Sequence, residues 1–190
     1  MPGHDSESAV FTVNEAAYAA GVPVKVVNQA IDRTHIRTRE FLREDERKRG
    51  SRGVVASDVV FLRVHQVFAP EYRRKLYQSL RGKSLAQIPN RLEVDSIVLD
   101  LEQPISEVRE RLQVLQRFKE RVEVNPEVRA GEPVFSGTRV PVHAIARKIE
   151  LGSSLEELRE DYPQLEEGDF DLAVHYAKLH PRRGRPRIDG

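Results

Sequence analysis

The chain has 190 residues, 39% hydrophobic and 32% charged, a balance that fits two small cores better than one large core. Because the sequence contains no cysteine, disulfides and thiolate metal sites are excluded, and a reducing cytoplasmic location is expected. No apolar run approaches the roughly 20 residues that cross a bilayer, and the N-terminal segment lacks the pattern of a secretion signal, so a soluble protein without a membrane segment is predicted.

Charge is strongly segregated along the chain, although the formal net charge is only +1. Residues 33–52 contain eight Lys/Arg and four acids, and residues 73–91 contain six basic residues and no acid. Residues 150–171 contain nine acids and one arginine, and the tail "HPRRGRPR" then adds four arginines. This separation predicts a polyanionic partner for the front of the chain and a different partner for its rear.

The first predicted elements are two short helices joined by a tight turn. Thr12 and Glu15 form a capping box, which marks the start of the first helix. Gly21 suits the turn, and Pro23 suits the first position of the second helix, where a missing N–H has no cost. Two apolar stripes are expected to pack together: Ala16, Ala17 and Ala20 on the first helix, and Val26, Val27, Ala30 and Ile31 on the second.

The opposite face of the second helix is polar and suited to DNA. Side chains of these types contact base edges and phosphates in a major groove: Lys25, Asn28, Gln29, Asp32 and Arg33. A charged loop between β-prone ends is predicted to form a hairpin wing, which adds the DNA-binding candidates Arg37, Arg47, Lys48 and Arg49. Ser57 is then predicted to cap a helix whose inward stripe consists of Val59, Val60, Leu62, Val64 and Phe68.

This order of elements resembles the winged DNA-binding domains of MerR-type and excisionase-type regulators. The resemblance implies binding to duplex operator DNA, with Val22 standing where such domains often carry a Ser or Thr cap. From the residues alone, a small helical bundle with a solvated basic loop is the alternative. Aromatic residues are too few and scattered for a single-strand stacking platform, so duplex DNA is favoured over RNA.

The connecting segment contains a basic helix, "PEYRRKLYQSL", a strand-like run, "LEVDSIVLDL", and a longer helix opened by Pro104. One stripe of that helix is apolar: Ile105, Val108, Leu112, Leu115, Phe118 and Val122. Glu107 and Arg111 are spaced to form an ion pair worth about 0.2–0.5 kcal/mol. The helix is interpreted either as a dimerisation helix that spaces two DNA half-sites or as a cover for its own strand.

The C-terminal part is predicted to be a hairpin followed by three helices. Gly131 and Gly137 fall where turns need unusual backbone angles, and Pro133 and Pro141 limit the extended segments. The first helix, with the stripe Val142, Ile145, Ala146 and Ile149, should end at Gly152. Ser154 and Glu157 form a capping box for the second, which should stop at Tyr162-Pro163, and the third presents Phe170, Ala173, Val174 and Ala177.

The run "GEPVFSGTRVPV", with "SLEELREDYPQL" and "DFDLAVHYA" after it, closely resembles the domain-of-unknown-function 433 family over about Val124 to Lys178. Members of that family look like antitoxins of type II toxin–antitoxin pairs whose toxins are PIN-like ribonucleases. The resemblance therefore implies a VapB-type antitoxin that also represses its own operon. Glu132 stands at a position where the family resemblance implies a basic residue. Arg139 is interpreted either as an interface residue or as an ion-pair partner that holds the hairpin.

The tail, residues 180–190, has no core-forming pattern apart from Ile188 and is predicted to be disordered when free. Its arginines are candidates for toxin binding, because they could pair with the clustered carboxylates that hold metal in PIN-like nucleases: Arg182, Arg183, Arg185 and Arg187. The alternatives are insertion of "GRPR" into an AT-rich minor groove and a merely solubilising tail.

No motif for catalysis or for a cofactor occurs in the sequence. Three histidines lie near the carboxylates of the C-terminal half: His143, His175 and His180. The last two are badly spaced for shared metal ligation, and phosphate-loop, nucleophile-elbow and zinc-protease patterns do not occur. We therefore expect no catalytic residues, no metal and no cofactor.

The sequence thus predicts a mainly α protein with short β-hairpins in four parts: 9–80, a winged helix-turn-helix; 81–123, a connecting strand and helix; 124–179, an antitoxin-like module; and 180–190, the tail. The predicted function is that of a homodimeric antitoxin that binds duplex operator DNA and a PIN-like ribonuclease toxin. A free-standing dimeric transcriptional regulator without a toxin partner is the alternative.

Overall fold

The computed structural model describes residues 10–33, 36, 39–41 and 51–182. The chain divides into two compact units, Met1–Leu112 and Gln113–Gly190, and the boundary lies inside one long helix. Over the described residues the protein is mainly helical with short antiparallel strand pairs, which confirms the predicted fold class. None of the described helices has both the length and the apolar character needed to span a bilayer.

The N-terminal unit combines short helices with two small sheets. Its elements are β1 (Val10–Phe11), α1 (Val13–Ala20), α2 (Val24–Asp32), β2 (Arg39–Phe41), β3 (Ser51–Val55), α3 (Ala56–Val64), a 3-10 turn (His65–Val67), α4 (Pro70–Leu80), β4 (Arg91–Val94) and β5 (Ile97–Asp100). Strand β3 lies between β1 and β2 and is antiparallel to both, with Val10 opposite Val55 and Arg39 opposite Gly53. The order helix, turn, helix, strand pair, helix is the one expected from the sequence.

The start and end of α1 follow the local sequence. The Thr12 N–H donates to Glu15 Oε2 at 2.7 Å and the Glu15 N–H to Thr12 Oγ1 at 3.3 Å, so the predicted capping box is confirmed. Gly21 ends the helix in the left-handed region at φ 64°, as a tight turn requires. The alanine face is buried, and Pro23 immediately precedes α2 rather than opening it.

Two predictions about α3 and the residues after α4 were wrong in detail. Helix α3 begins at Ala56, so Ser57 lies inside its first turn, is buried, and is not the cap. The run "LEVDSIVLDL" forms a hairpin, β4 and β5, rather than one strand, because Asp95 adopts φ 54° and reverses the chain. A period-two pattern is the same in one strand and in a two-residue hairpin, so the alternation did not reveal the turn.

The long helix α5 runs from Glu102 to Arg121. It begins two residues before Pro104, because Asp100 Oδ1 accepts the Glu102 N–H at 3.0 Å and supports the first turn. Its predicted apolar stripe is buried at Ile105, Val108, Leu112, Leu115 and Phe118. The role of α5 in pairing two chains stays a prediction.

The C-terminal unit continues from the second half of α5. Its elements are β6 (Val122–Glu123), a 3-10 turn (Arg129–Gly131), β7 (Val134–Phe135), α6 (Val142–Glu150), α7 (Leu155–Asp161) and α8 (Glu167–Leu179). Strand β7 pairs antiparallel with β6, a partner that the sequence did not predict. The capping box of Ser154 and Glu157 and the end of α7 at Tyr162 are as predicted.

Residues 133–142 form the predicted tight hairpin. The Phe135 N–H donates to Val140 O and the Val142 N–H to Pro133 O, both at 3.0 Å, and Gly137 at φ 74° supplies the turn. Thr138 fixes that turn, because its Oγ1 donates to Phe135 O at 2.8 Å and accepts the Val140 N–H at 3.1 Å. The hairpin is therefore held by a threonine, and Arg139 beside it is exposed.

Helix α8 packs with a broader face than predicted. Phe170 and Ala173 are buried as expected, but Val174 and Ala177 are only half-buried. Leu172 and Tyr176 are buried instead, and Asp169 is fully buried in the first turn. The core of the unit thus contains a carboxylate, which the apolar pattern did not indicate.

Candidate functional site

The described part of the predicted DNA-binding face is the solvent-facing side of α2. Lys25, Asn28, Gln29 and Arg33 are all exposed, whereas Val27, Ala30 and Ile31 on the other side are buried. Val24, at the start of the helix, is 42% exposed, so the face carries an apolar side chain beside its polar ones. The structure therefore brings these four candidates together on one accessible surface.

The cations of this face have no ion-pair partner in the part of the chain that the structure describes. Within the described residues, no carboxylate lies at ion-pair distance from Lys25 or Arg33. Amide side chains such as Asn28 and Gln29 offer the paired donor and acceptor that read adenine in a major groove. The surface is thus chemically suited to a ligand with both phosphate charge and base edges.

The other DNA-binding candidates lie outside the described residues: Arg37, Arg47, Lys48 and Arg49. What is described of the predicted wing is its strand pair, in which Glu40 lies opposite Arg52 and Phe41 opposite Ser51.

A cationic side chain from α5 supports the turn between α1 and α2. Arg111 Nη1 donates to Ala19 O at 3.4 Å. A Cβ added to Gly21 would lie only 2.3 Å from the same nitrogen. Burial raises the pKa of the nearby Tyr18, and Arg111 opposes that shift. Gly21 is therefore needed for its backbone angle at φ 64°, whereas the flexible end of Arg111 can shift to make room for a Cβ.

Glu107 connects α5 to α3 within the same unit. Arg63 Nε donates to Glu107 Oε2 at 3.0 Å, and Arg111 lies 3.8 Å from the same oxygen, as the spacing along α5 predicted. The hydrogen bond from Arg63, followed by that from Gln103, holds the pKa of Glu107 below its usual range. These contacts hold α5, whose Arg111 supports the turn between α1 and α2. The sequence did not indicate the contact between Arg63 and Glu107.

In the C-terminal unit, the described arginine of the predicted toxin-binding tail is engaged internally. Arg182 Nη2 donates to Glu132 Oε1, and Arg129 Nε donates to Glu132 Oε2 at 2.9 Å. Glu132 thus lies between two arginines, which gives a physical reason for an acid at this position. The remaining toxin-binding candidates, Arg183, Arg185 and Arg187, lie outside the described residues.

An aromatic cluster lies beside this ion pair. Tyr176 contacts three rings, with centroid distances of 5.2 Å to Phe118, 5.7 Å to His143 and 4.5 Å to His180. Burial lowers the pKa of His143, Arg182 and His180 lower it further, and Glu132 opposes them. Among the described side chains, no group of three or more His, Cys, Asp or Glu is placed to hold a metal ion.

An ion pair to a fully buried carboxylate lies in the C-terminal unit. Arg121 Nε donates to Asp169 Oδ1 at 3.0 Å and Nη2 to Oδ2 at 2.5 Å, while Nη1 lies 3.3 Å from Glu166. Asp169 is fully buried, and its hydrogen bond raises the pKa of Arg121. The two residues are 48 positions apart, so the sequence offered no local signal for the pair.

Residues 122–177 match the family described as "Protein of unknown function (DUF433)". The chain is also 28% identical over 191 residues to "Uncharacterized protein y4eO" of Sinorhizobium fredii (strain NBRC 101917 / NGR234), an alignment that covers 95% of this chain and 86% of that protein. The similarity therefore extends over both units. No solved structure matches the chain.

Proposed function

We propose that the protein is a DNA-binding antitoxin. The N-terminal unit binds duplex operator DNA through the exposed face of α2, and the C-terminal unit with its arginine tail binds a PIN-like ribonuclease toxin. The observation that supports the DNA-binding half is the α2 face, on which Lys25, Asn28, Gln29 and Arg33 are exposed and the two cations lack carboxylate partners within the described residues.

Duplex DNA is the ligand that suits this chemistry. Lysine and arginine release counterions from the phosphate backbone and provide salt-sensitive affinity, whereas amide side chains discriminate bases in the major groove. The exposed Val24 adds an apolar contact of the kind that a thymine methyl group accepts. As a homodimer the protein would present two such faces to two half-sites, which is how helix-turn-helix proteins address operators.

The toxin-binding half rests on the DUF433 match over residues 122–177 together with the resemblance of that family to type II antitoxins. The acidic stretch at 150–171 would repel phosphates and is better suited to a protein partner. In the tail, Arg182 already binds a carboxylate, that of Glu132. To bind a carboxylate of the toxin, Arg182 would exchange one such partner for another.

The alternative is a dimeric transcriptional regulator that binds DNA in the same way and has no toxin partner. The match to a relative along nearly the whole chain is compatible with either function. The two functions differ in whether the product of the adjacent gene is toxic when expressed alone and binds this protein.

Replacing Lys25 and Arg33 together with alanine tests the DNA-binding half. We expect duplex DNA from upstream of the gene to bind the full-length variant at least about tenfold more weakly than the wild type, because two phosphate or base contacts are lost. Lys119→Ala with Lys178→Ala is the matched control, since both lysines are exposed in the C-terminal unit and the charge lost is equal. Equal weakening in the control, or unchanged binding by the α2 variant, would refute the assigned face.

Co-expression with the neighbouring gene tests the toxin-binding half. We expect the neighbour to inhibit growth when expressed alone and to co-purify with this protein in a complex that restores growth. A neighbour that is harmless alone, or that does not co-purify, would leave the regulator as the function.

A further inference from the structure

The polar face of α2 continues onto a second cationic surface formed by the 3-10 turn and α4. Arg33, at the end of α2, borders two adjoining grooves in the N-terminal unit. The first is also lined by Gln29, Gln66 and Arg73, and the second by Arg74, Lys75 and one acid, Glu71. We call these two grooves together the α2–α4 groove. Arg73 and Arg74 belong to the basic run at 73–91, which the sequence showed, but Arg33 lies far from that run in the sequence, so their common groove was not predicted.

Arg73 is held in one orientation by backbone carbonyls. Its Nε donates to Phe68 O at 2.7 Å and its Nη2 to Gln66 O at 3.4 Å. Carbonyl groups orient the guanidinium without neutralising its charge, and they reduce the side-chain entropy that a ligand contact would otherwise cost. Arg73 therefore presents a fixed positive charge at the edge of the groove.

Arg74 and Lys75 are neighbours in sequence but differ in their electrostatic surroundings. Arg74 is exposed, and no carboxylate among the described residues lies at ion-pair distance from it. Lys75 Nζ instead donates to Asp95 Oδ2 at 2.6 Å, and this hydrogen bond raises the pKa of Lys75. A phosphate would meet a free cation at position 74 and one already paired at position 75.

We propose that the α2–α4 groove binds the phosphodiester backbone of the duplex whose bases face α2. Arg33, Arg73 and Arg74 contact successive phosphates, and the side chains of Gln29 and Gln66 donate hydrogen bonds to the same strand. This inference rests on the proposed DNA-binding function and adds to it a second contact surface. Contacts of this kind fix the register of a protein on DNA and carry no base specificity.

The experiment is a salt titration of duplex binding by the full-length protein, with a fluorescently labelled duplex from upstream of the gene. Arg74→Ala is compared with Lys75→Ala, which removes the same formal charge one residue away. We expect Arg74→Ala to reduce the slope of log K against log salt by about 0.9, the value for one lost phosphate contact. The loss of affinity should be the same for duplexes of unrelated sequence. Lys75→Ala should leave the slope unchanged.

The outcomes separate this inference from the function on which it rests. If the wild type binds no duplex at low salt, both fail. In a second outcome, the wild type binds duplex, the variant with both Lys25→Ala and Arg33→Ala binds more weakly, and Arg74→Ala leaves the salt slope unchanged. DNA binding then stands, and phosphate binding by the α2–α4 groove is refuted. Equal reductions in slope for Arg74→Ala and Lys75→Ala would also refute it, because they would show a general field effect. Thermal unfolding of both variants checks that each remains folded.

Discussion

Cationic side chains have different surroundings in the two units. In the N-terminal unit, the exposed cations of α2 and α4 that lack a carboxylate partner among the described residues are Lys25, Arg33 and Arg74. In the C-terminal unit, ion pairs hold Arg121, Arg129, Lys148, Arg159 and Arg182. Other cations of that unit are exposed with no carboxylate at ion-pair distance among the described residues: Lys119, Arg139, Arg147 and Lys178. An unpaired exposed cation binds a phosphate without first losing a partner. What distinguishes the N-terminal unit is that two such cations, Arg33 and Arg74, line one groove beside the exposed face of α2.

The units also differ in what their polar contacts stabilise. In the N-terminal unit, the network of Arg63, Glu107 and Arg111 is partly exposed and supports the turn before α2. In the C-terminal unit, Arg121 binds a carboxylate that is fully buried, that of Asp169. The first network therefore positions a surface, whereas the second holds a core together.

The largest effect is expected from removing the buried pair. Arg121→Met should lower the free energy of unfolding of the C-terminal unit by about 3 kcal/mol, because Asp169 is then left buried without its counter-charge. Arg63→Met, which removes the partly exposed partner of Glu107, should cost about 1 kcal/mol or less. Amide hydrogen exchange in α8 and α3 measures the two losses. Similar losses for both variants would contradict the contrast between the units.

A smaller effect is expected from the capping boxes that Thr12 and Ser154 form at the starts of α1 and α7, one in each unit. Thr12→Ala and Ser154→Ala should each cost about 1 kcal/mol, because each removes an acceptor from the first turn of a helix. We expect the loss to appear in the exchange of α1 for the first variant and of α7 for the second. Destabilisation of the opposite unit would show that the two units unfold together.

The smallest effect is a pH dependence in the C-terminal unit. Burial lowers the pKa of His143 in the folded protein, so the stability that its neutral form contributes is present above about pH 6.5 and is lost as the pH falls toward the folded value. His143→Phe should reduce the difference in Tm between pH 7.5 and pH 5.5. Glu107→Gln should not change that difference, because the usual pKa of a glutamate already lies below pH 5.5 and that of Glu107 is lowered further. An unchanged difference in the His143 variant would contradict this assignment.

The sequence predicted those elements whose signals are local. The capping boxes at Thr12 and Ser154 and the glycines at 21 and 137 specify backbone geometry within a few residues, and these predictions were confirmed. The exposed face of α2 followed from helical spacing. The turn at Asp95 was missed because an aspartate supplied the positive φ where glycine is the usual signal.

Contacts between distant segments could not be predicted in this way. Arg121 and Asp169 are 48 positions apart in the sequence. Arg111, which supports the Gly21 turn, is 92 positions from its acceptor Ala19. No periodicity encodes which arginine meets which carboxylate, and each of these side chains also fits a solvated surface. The α2–α4 groove has the same origin, because Arg33 and Arg74 meet only through the packing of α2 and α4.

Amide hydrogen exchange of the full-length protein, with and without duplex DNA from upstream of the gene, tests the central claim most directly. The account predicts slower exchange in residues 24–33 and 66–78 when the duplex is bound, and no change in residues 142–179. Protection confined to residues 142–179, or an unchanged pattern at duplex concentrations that saturate binding, would contradict it.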